Sequence, residues 1–419
     1  MSSPAVSTGY EAPHLRAVIP VLGVTQILAW GSSYYLLAVL AKPIAGDTGW
    51  PLAWVVGGLS LGLLTSGLVS PRVGDSIQRH GGRPVLALSA VLLALGLIGL
   101  ALAPILPIYL ASWLVLGVGM GAGLYYAAFA TLGRLYGQRA RTAIAMLTLF
   151  GGLASTVCWP LSAMLVSEFG WRGACLIYAA IHLLVLLPLY VFALPREPKQ
   201  HMAMATEHRD DVAGCSHSRN PVPAGSMALF MLVAAAATVS AMISTMISVH
   251  LLTILQARGI ALAAAVALGA LVGPSQVGAR AIEMVISRYH HPIWTMVAST
   301  ILVAIGIGAL LSGLPIISAA LVLYGAGIGI ESIARGTLPL ALFGEHRYAA
   351  IMGRIAMPSL IAQAASPSIG ALLMDRFGAN GTLAALFAIA VVDFLLVVAV
   401  FVFLPRRMSP IVSAHMTAS

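Results

Sequence analysis

The sequence predicts an all-α integral membrane protein whose twelve transmembrane helices form two parallel six-helix repeats. Three observations predict this fold class: the composition, a series of apolar runs of membrane-spanning length, and landmarks that recur halfway along the chain. Apolar residues make up 60% of the 419 residues and charged residues 8%, whereas soluble domains hold about 45–50% and about 25%. A soluble chain of this composition lacks the polar groups to cover its surface, so the lipid bilayer is the solvent that fits.

Twelve apolar runs are each long enough to cross the hydrocarbon core, which takes about 20 helical residues. Their limits are 17–41, 51–71, 84–103, 108–133, 142–166, 173–194, 226–254, 260–286, 292–312, 315–343, 355–374 and 381–404. Most connections are short, and one long polar stretch separates six runs from six. These boundaries predict a first repeat at 1–194, a cytoplasmic linker at 195–225, a second repeat at 226–407 and a short cytoplasmic tail at 408–419.

The basic residues predict the orientation of the chain in the membrane. With the N-terminus in the cytoplasm, sixteen Lys and Arg residues fall in inside loops and tails and four in outside loops. Such an excess matches the positive-inside rule, so both termini are expected in the cytoplasm. The net charge of +9 is therefore a topology signal and not a nucleic-acid-binding surface. Twenty arginines against two lysines suggest a GC-rich bacterial source, and hence the cytoplasmic (inner) membrane of a bacterium.

Five landmarks that recur in the same order indicate an internal repeat. In the fourth run, Gly117-x-Gly119-x-Gly121 returns 208 residues later as Gly325-x-Gly327-x-Gly329. The other landmarks are Leu135-Tyr136-Gly137 with Leu342-Phe343-Gly344, Pro160 with Pro367, Phe169-Gly170 with Phe377-Gly378, and Arg79 to Pro84 with Arg288 to Pro292. Two parallel six-helix repeats are typical of secondary transporters, whose substrate site lies at the repeat interface near the membrane midplane.

These landmarks and the loop after the second run resemble the major facilitator superfamily over essentially the whole chain. The signature loop of that family is G-x-x-x-D-R-x-G-R-R. Residues 74–83 keep both glycines and two of the arginines, and Gln78 stands in place of the acid. The resemblance implies the major facilitator fold, transport by alternating access without a cofactor or metal, and a cytoplasmic gate at Asp75, Arg79 and Arg83.

Three stretches narrow the resemblance to the monocarboxylate-transporter-like branch. They are Gly82-Arg83-Pro84-Val85, residues 134–141, and Phe169-Gly170-Trp171-Arg172-Gly173. That branch often carries Asp-x-x-x-Arg in span eight, where the arginine meets the substrate carboxylate. This sequence has Gln276-x-x-x-Arg280, so the arginine is kept and the acid is not. The resemblance implies a secondary active transporter for a small organic anion, functional as a monomer, whose partners are the substrate, protons and the bilayer.

Five charged residues lie inside the predicted spans: Arg280, Glu283, Glu331, Arg335 and Asp393. Such residues cost about 2.5–3.5 kcal/mol at a helix centre and usually face a partner or a water-filled cavity. Glu331 and Arg335 are four residues apart, as are Gln276 and Arg280, so each pair shares one helix face. We interpret Gln276, Arg280 and Arg335 as substrate-binding groups and Glu331 as the proton-coupling acid. The alternative is a structural ion-pair cluster that joins spans eight and ten.

Asp393 differs from the other four, because no basic residue lies near it in the sequence. It is midway along the twelfth run, which the resemblance places at the periphery of the fold. Neutral packing against hydroxyl groups or small residues is the favoured interpretation, and a proton-carrying role is the alternative.

The first half has no charged residue within its spans and offers aromatic rings instead. Tyr34, Tyr125 and Trp159 are predicted to bind the apolar body of the substrate, because Tyr and Trp combine an apolar ring with a polar tip. Tyr34 precedes Tyr35, and Tyr125 precedes Tyr126, so one of each pair is expected to face the cavity. The alternative interpretation is simple packing between helices.

An efflux transporter for drug-like or metalloid toxins is the main alternative function. The aromatic first half suits such substrates, and Cys158 and Cys175 carry thiol groups that bind soft metals. A buried cysteine is more often a small apolar residue, and we favour that interpretation. The sequence has no H-E-x-x-H, G-x-S-x-G or Walker motif, so neither an enzyme nor an ATP-driven pump is expected. A non-transporting receptor on the same fold would normally add a long cytoplasmic domain. The predicted tail at 408–419 is short, so a receptor is not the favoured interpretation.

Overall fold

The computed structural model describes residues 15–195 and 224–404, so most of the predicted linker and all of the predicted tail lie outside the described residues. These residues are almost entirely helical and include no strand. In a lipid environment the helix is favoured because it bonds every backbone N–H and C=O within its own segment. The all-α prediction is therefore confirmed.

The described part of the first half holds eight α-helices. They are α1 (Leu15–Gly31), α2 (Leu36–Thr48), α3 (Leu52–His80), α4 (Gly82–Leu102), α5 (Leu106–Gly123), α6 (Tyr125–Tyr136), α7 (Ala140–Gly152) and α8 (Ala154–Ile181). Two π-helical turns, His182–Leu186 and Leu189–Ala193, follow α8.

Six α-helices follow in the described part of the second half. They are α9 (Ala224–Ala257), α10 (Leu262–Gly269), α11 (Val272–Ile286), α12 (Pro292–Leu311), α13 (Ile317–Phe343) and α14 (Tyr348–Phe403). Short breaks separate α10 from α11, and α1 from α2 in the first half, within runs that the sequence predicts as single spans.

Nine continuous helical stretches within the described residues are long and apolar enough to cross a membrane. One crossing takes roughly 20 residues, and two of the stretches are long enough for more than one crossing: Leu106–Ala193 has 88 residues and Tyr348–Phe403 has 56. The first is broken at Gly137 and Gly170 and the second at Gly378, where φ is 53°, 68° and 65°. Dividing the stretches at these glycines yields twelve segments, consistent with the twelve predicted spans.

The recurring glycines of the sequence share backbone conformations. Gly170 has φ 68° and ψ 173°, and Gly378 has φ 65° and ψ −171°. Gly137 and Gly344, another recurring pair, both have positive φ. Glycine reaches this region without the steric cost that a Cβ imposes. The repeated landmarks therefore mark repeated breaks between helices.

Close helix contacts occur at the glycines that α5 and α13 share. A Cβ on Gly117 of α5 would collide with Gly62 O of α3, and a Cβ on Gly325 of α13 would lie 2.8 Å from Val272 O of α11. Two residues later in each series, Gly119 faces α4 in the first half and Gly327 faces α12 in the second half. Small residues let helices approach closely in membranes, so each half repeats the same packing of three helices.

The described residues form two compact units. The first comprises residues up to 195 with Pro339–Met357, and the second comprises 224–338 with 358–404. The end of α13 and the start of α14 therefore pack with the first half of the sequence. Gly74 of α3 shows this packing, because a Cβ there would lie 2.5 Å from Ala349 O and 3.0 Å from Gly353 Cα.

Apolar side chains form the core of the second unit. Ile247 of α9, Ile307 of α12, Tyr324 of α13 and Leu386 of α14 are at most 1% exposed and belong to one cluster. These four helices therefore pack around a shared interior, which positions the polar groups that α9, α13 and α14 carry.

Gly325→Ala is expected to lower the free energy of unfolding by about 1–3 kcal/mol, since the added methyl group meets the α11 backbone. Gly278→Ala on α11 is the matched control, because nothing lies within 4 Å of the position of its Cβ. The control is expected to keep or slightly raise stability, as alanine favours the helix over glycine. Thermal unfolding in detergent measures both variants, and equal effects would contradict the packing described.

Candidate functional site

Buried charge is concentrated in the second unit. Arg280 and Glu283 lie on α11, Glu331 on α13 and Asp393 on α14, and each is at most 6% exposed. Arg335, one helical turn beyond Glu331, keeps 17% of its side chain exposed. The buried polar residues described in the first unit are Ser, Thr, Gln and His. The two units therefore differ in the chemistry of their interiors.

Arg280 reaches from α11 to α13. Its Nε donates to Gly329 O at 3.1 Å, and its Nη2 donates to Gln276 Oε1 at 3.3 Å. A Cβ on Gly329 would lie 2.6 Å from Gln276 O, so glycine is what permits the two helices to approach this closely. The structure thus brings Gln276 and Arg280 together, and these contacts orient the plane of the guanidinium.

Arg335 and Glu331 form a two-point ion pair on one face of α13. Nε of Arg335 donates to Oε1 of Glu331 at 3.0 Å, and Nη2 donates to Oε2 at 2.9 Å. The fork of an arginine matches a carboxylate in this geometry. Both partners belong to the same helix, so the pair does not itself connect α11 with α13. That connection is made by Arg280 and Gly329.

Glu283 connects α11 with α12 through hydrogen bonds. Thr295 Oγ1 donates to Glu283 Oε1 at 2.6 Å, and His290 Nε2 lies 3.5 Å from the same oxygen. Since Thr295 is the first-turn residue of α12, this contact holds the start of α12 against α11. Glu283 is therefore engaged in packing between two neighbouring helices.

Asp393 of α14 contacts α9. Its Oδ2 lies 2.5 Å from Ser240 Oγ, and its side chain is 2% exposed. Its Oδ1 has no hydrogen-bond partner among the described residues. The hydroxyl contact agrees with the favoured interpretation of Asp393 as a residue that packs against hydroxyl groups.

Aromatic rings gather in the first unit around Trp30 of α1. The centroid of its ring lies 5.2 Å from that of Tyr34, 6.0 Å from that of Tyr35 and 5.0 Å from that of Tyr125. Trp159 of α8 joins through Tyr35, at 6.1 Å between centroids. Aromatic pairs attract at these separations. We refer to these five residues as the aromatic cluster.

Both tyrosines of the first consecutive pair join the aromatic cluster. Helical neighbours point about 100° apart, but α1 ends at Gly31 and residues 32–35 form a turn before α2. Because turn residues leave the helical period, Tyr34 and Tyr35 can both contact Trp30. In the second pair, Tyr125 is the residue whose ring contacts Trp30.

A cleft of about 480 Å³ lies beside the aromatic cluster, between α2 and α8. It is lined by Ala38, Val39, Ser155, Thr156, Trp159, Pro160 and Ala163. Trp159 is 46% exposed, so its ring contacts Tyr35 and also borders the cleft. The lining of this cleft is apolar apart from the hydroxyl groups of Ser155 and Thr156, so the cleft can hold a molecule that is mainly apolar.

Gln26 of α1 is a further candidate that is not predicted from the sequence. Its Nε2 donates to Gly123 O at 2.7 Å, and its Oε1 accepts from Trp30 Nε1 at 3.2 Å. Gly123 ends α5, where carbonyl groups lack part of the helical hydrogen-bond ladder. Gln26 therefore connects this helix end to the aromatic cluster, and an amide within an apolar run was the available signal.

The predicted gate residues lie at the end of α3 and the start of α4. Arg83 Nη2 donates to Val191 O. Asp75 is half-buried and Arg79 is exposed, and neither forms a salt bridge with another described residue. The structure thus places the three residues in one region without a charge contact among them.

Gln78 connects this region to Pro339–Met357. Its Nε2 donates to His346 O at 2.8 Å, and its backbone O accepts a hydrogen bond from Arg134 of α6. No role is predicted for Gln78 or Arg134 from the sequence. The signal was present, because Gln78 stands where the signature loop has its acid.

The two cysteines of the first unit are free and fully buried. Cys158 Sγ donates to Ile27 O at 3.4 Å and packs against Gly31. Within residues 15–195 and 224–404, no three His, Cys, Asp or Glu side chains come together as metal ligands. Cys158 and Cys175 therefore occupy packing positions.

Glu331→Gln is expected to lower the free energy of unfolding by about 3 kcal/mol, because Arg335 keeps its charge and loses the carboxylate charge of Glu331. Asp47→Asn is the matched control, since Asp47 pairs with Arg172 where both side chains are 44–50% exposed; such pairs contribute about 0–1 kcal/mol. A double-mutant cycle with Arg335→Gln measures the coupling by thermal unfolding. A coupling energy near zero would show that the pair contributes no stability.

Comparison with known proteins shows the family. A family model described as the Major Facilitator Superfamily matches residues 22–289, well over half of the chain. Human Monocarboxylate transporter 11 is 31% identical over 198 residues, which cover 38% of this chain and 41% of that protein. An uncharacterized 38 kDa protein in a 23S RNA operon of Thermoproteus tenax is 35% identical over 164 residues, 39% of this chain and 43% of that protein. The chain thus spans about two fifths of the length of these curated relatives.

Solved structures share the fold across almost the whole chain. The human organic anion transporter MFSD10 (TETRAN) covers 92% of this chain and 100% of its own at 18% identity, with a TM-score of 0.70. A double-tryptophan mutant of XylE covers 94% and 97% at 14% identity, with a TM-score of 0.73. At these identities the likeness shows the fold alone. With the matching family model, these observations show that the chain belongs to the major facilitator superfamily of membrane transporters, in which it resembles the monocarboxylate-transporter-like branch.

Proposed function

We propose that the protein is a secondary active transporter that moves a small organic anion, of the monocarboxylate class, by alternating access in symport with protons. The observation that carries this proposal is the buried guanidinium of Arg280, which Gln276 and Gly329 hold between α11 and α13. An ionised side chain deep in a spanning helix is costly, and such residues usually mark a substrate or ion pathway.

The contacts of Arg280 suit exchange with a substrate carboxylate. The 3.3 Å between its Nη2 and Gln276 Oε1 is longer than the usual N–H···O distance, which is about 2.9–3.0 Å. A carboxylate forms charge-assisted hydrogen bonds roughly twice as strong as those of a neutral amide. A substrate carboxylate is therefore expected to displace Gln276 while Gly329 O keeps the guanidinium in position.

The curated relatives support the same substrate class. Human and mouse Monocarboxylate transporter 11 are both 31% identical to this chain, over 198 and 177 residues. The aligned part is about two fifths of each relative, so their printed name supports the assignment only together with Arg280. Arginine, with its planar fork, is the side chain that best matches a carboxylate.

We assign proton coupling to Glu331. While it is ionised, Glu331 occupies the fork of Arg335 with two hydrogen bonds. Protonation of Glu331 removes the negative charge that holds this pair. Arg335 can then bind the substrate anion together with Arg280. Proton and anion then bind together, as symport requires.

The aromatic cluster is assigned to the apolar part of the substrate, with Tyr34, Tyr125 and Trp159 as binding residues. Trp159 borders the cleft of about 480 Å³, whose lining is mainly apolar. Tyr and Trp rings offer an apolar face and a polar tip. This chemistry complements a carboxylate that carries a hydrocarbon or aromatic body.

We place the cytoplasmic gate at Asp75, Arg79 and Arg83 and extend it to Gln78 and Gly74. Gln78 contacts His346 O, and Gly74 lies against Gly353. These contacts involve an amide, backbone atoms and glycines, so separating them breaks no ion pair. The gate can therefore open at a low electrostatic cost.

The membrane and the oligomeric state are also part of the proposal. We place the protein as a monomer in the inner membrane of a bacterium, with both termini in the cytoplasm. The sixteen-to-four distribution of basic residues supports this orientation.

Efflux of drug-like toxins is the second candidate function, and the exposed ring of Trp159 beside the cleft favours it. A neutral apolar substrate would use the aromatic cluster and make no demand on Arg280. Metalloid efflux is less favoured, because Cys158 and Cys175 are buried. Dependence of binding on Arg280 separates the two candidate functions.

Arg280→Gln is expected to abolish the stabilisation by a monocarboxylate in a thermal-shift assay in detergent. In the unsubstituted protein, a ligand at 100 times its Kd stabilises by about 2.7 kcal/mol. Arg258→Gln is the matched control, since Arg258 also donates to a backbone carbonyl of a neighbouring helix but lies at the end of α9. A carboxylate shift that survives in Arg280→Gln would reject the anion proposal, and a shift with neutral drugs alone would favour efflux.

Trp159→Ala is expected to weaken binding of benzoate about tenfold and to leave binding of acetate nearly unchanged, because acetate has no ring to pack against the cluster. Trp54→Ala is the control, as Trp54 is 58% exposed on α3 outside the cluster. Titrations of both ligands against all three proteins measure the difference. Equal losses for the two ligands would remove Trp159 from the specificity site.

A further inference from the structure

Asp393 stands apart among the buried carboxyl groups that the structure describes. Glu331 is paired with Arg335, and Glu283 lies 3.5 Å from His290. Asp393 forms no salt bridge with a described residue, and its polar contact is with the Ser240 hydroxyl. It lies midway along the last segment of α14, where the bilayer provides no water to replace a missing partner.

The helices around Asp393 bring few other titratable groups. α9, α10, α12 and α13 share a core with this segment of α14. α9 carries His250, which contacts a backbone carbonyl of α14, and α13 carries Tyr324, Glu331 and Arg335, whereas α10 and α12 carry none. Glu331 and Arg335 are bonded to each other by two hydrogen bonds. Arg335 therefore already has its own anionic partner.

We propose that Asp393 is a proton-binding site that holds its proton in the state described and exchanges it during transport. An ionised carboxylate is poorly stabilised when it is buried without a counter-charge, whereas the neutral acid needs one or two hydrogen bonds. Asp393 is 2% exposed and its Oδ1 has no partner among the described residues. Both observations match the neutral acid.

Ser240 is suited to serve both protonation states of Asp393. A hydroxyl group has one donor and two acceptor positions and rotates freely between them. At 2.5 Å it can donate to the carboxylate, or it can accept the proton of the acid. Ser240 is half-buried, unlike Asp393, so it lies on the more accessible side of the contact. We assign proton exchange at Asp393 to this hydroxyl contact.

The role of this proton in coupling rests on the proposed function, whereas proton binding itself does not. Arg335 neutralises Glu331, and a proton neutralises Asp393. If a substrate anion takes the fork of Arg335, Glu331 loses its counter-charge and needs a proton. Asp393, in the same unit, gives its proton to Glu331 and takes up another through Ser240, so that neither carboxylate is left ionised without a counter-charge. Asp393 is then the loading site and Glu331 the site that senses the substrate.

Infrared spectroscopy of the purified, ligand-free protein at neutral pH tests proton binding directly. A protonated carboxylic acid has a carbonyl stretch separate from that of a carboxylate, and the stretch shifts in deuterated water. The unsubstituted protein is expected to show this band, and Asp393→Asn is expected to lose it. Persistence of the whole band in Asp393→Asn would overturn the proposal.

Asp375→Asn is the matched control, because Asp375 is an exposed aspartate on the same helix. This control and Glu331→Gln are both expected to keep the band. If Asp393→Asn fails to fold, Ser240→Ala tests the same point, since loss of the hydroxyl partner must shift the carbonyl frequency of Asp393. An unchanged band in Ser240→Ala would count against the assignment.

Uptake into proteoliposomes separates this inference from the proposed function. With a pH gradient, uptake of a monocarboxylate is expected to fall at least tenfold in Asp393→Asn, while exchange of substrate at equal pH continues. Loss of the infrared band without any change in gradient-driven uptake would keep the proton site and reject its role in coupling. Absence of monocarboxylate uptake in the unsubstituted protein would reject the proposed function and leave the infrared result standing.

Discussion

The close approach of helices at the glycines of α5 and α13 is the constraint on which the other features depend. Gly117 and Gly325 each bring a neighbouring backbone to a distance that a side chain would prevent. Without the same approach at Gly329, the guanidinium of Arg280 would not reach a carbonyl on α13. Within a membrane the hydrophobic effect does not drive helices together, so packing at small residues takes that role.

The two halves use one packing scheme for different chemistry. In the first half, the glycines of α5 pack against the serine-bearing surface of α3, where Ser66 and Ser70 are buried. In the second half, the equivalent surface of α11 carries Gln276 and Arg280. Charge therefore collects in the second half, and aromatic rings collect in the first. The groups that the proposed function assigns to the anion therefore belong to one unit, and the rings that it assigns to the apolar part of the substrate belong to the other.

The buried charged groups of the second unit depend on one another for charge compensation. Arg335 is paired with Glu331, and Arg280 is held by oxygen atoms of α11 and α13. Asp393 has a hydroxyl contact and no such pair. Buried charges are stable only when they are compensated, so a change at any one of these groups alters the best protonation state of the others. The proposed coupling of an anion to a proton rests on this balance.

The sequence by itself determined the features that depend on local periodicity and composition. It predicted the helical class, the apolar runs and the recurring glycines, and it placed Glu331 with Arg335 and Gln276 with Arg280 by their spacing. Tertiary structure decided the contacts between distant segments, such as Ser240 with Asp393, Gln26 with Gly123, and Gln78 with His346. It also decided that Tyr34 and Tyr35 both contact Trp30, because a turn interrupts the helix there. Periodicity shows which residues share a face of one helix, whereas the angle and distance at which two helices cross determine which faces meet.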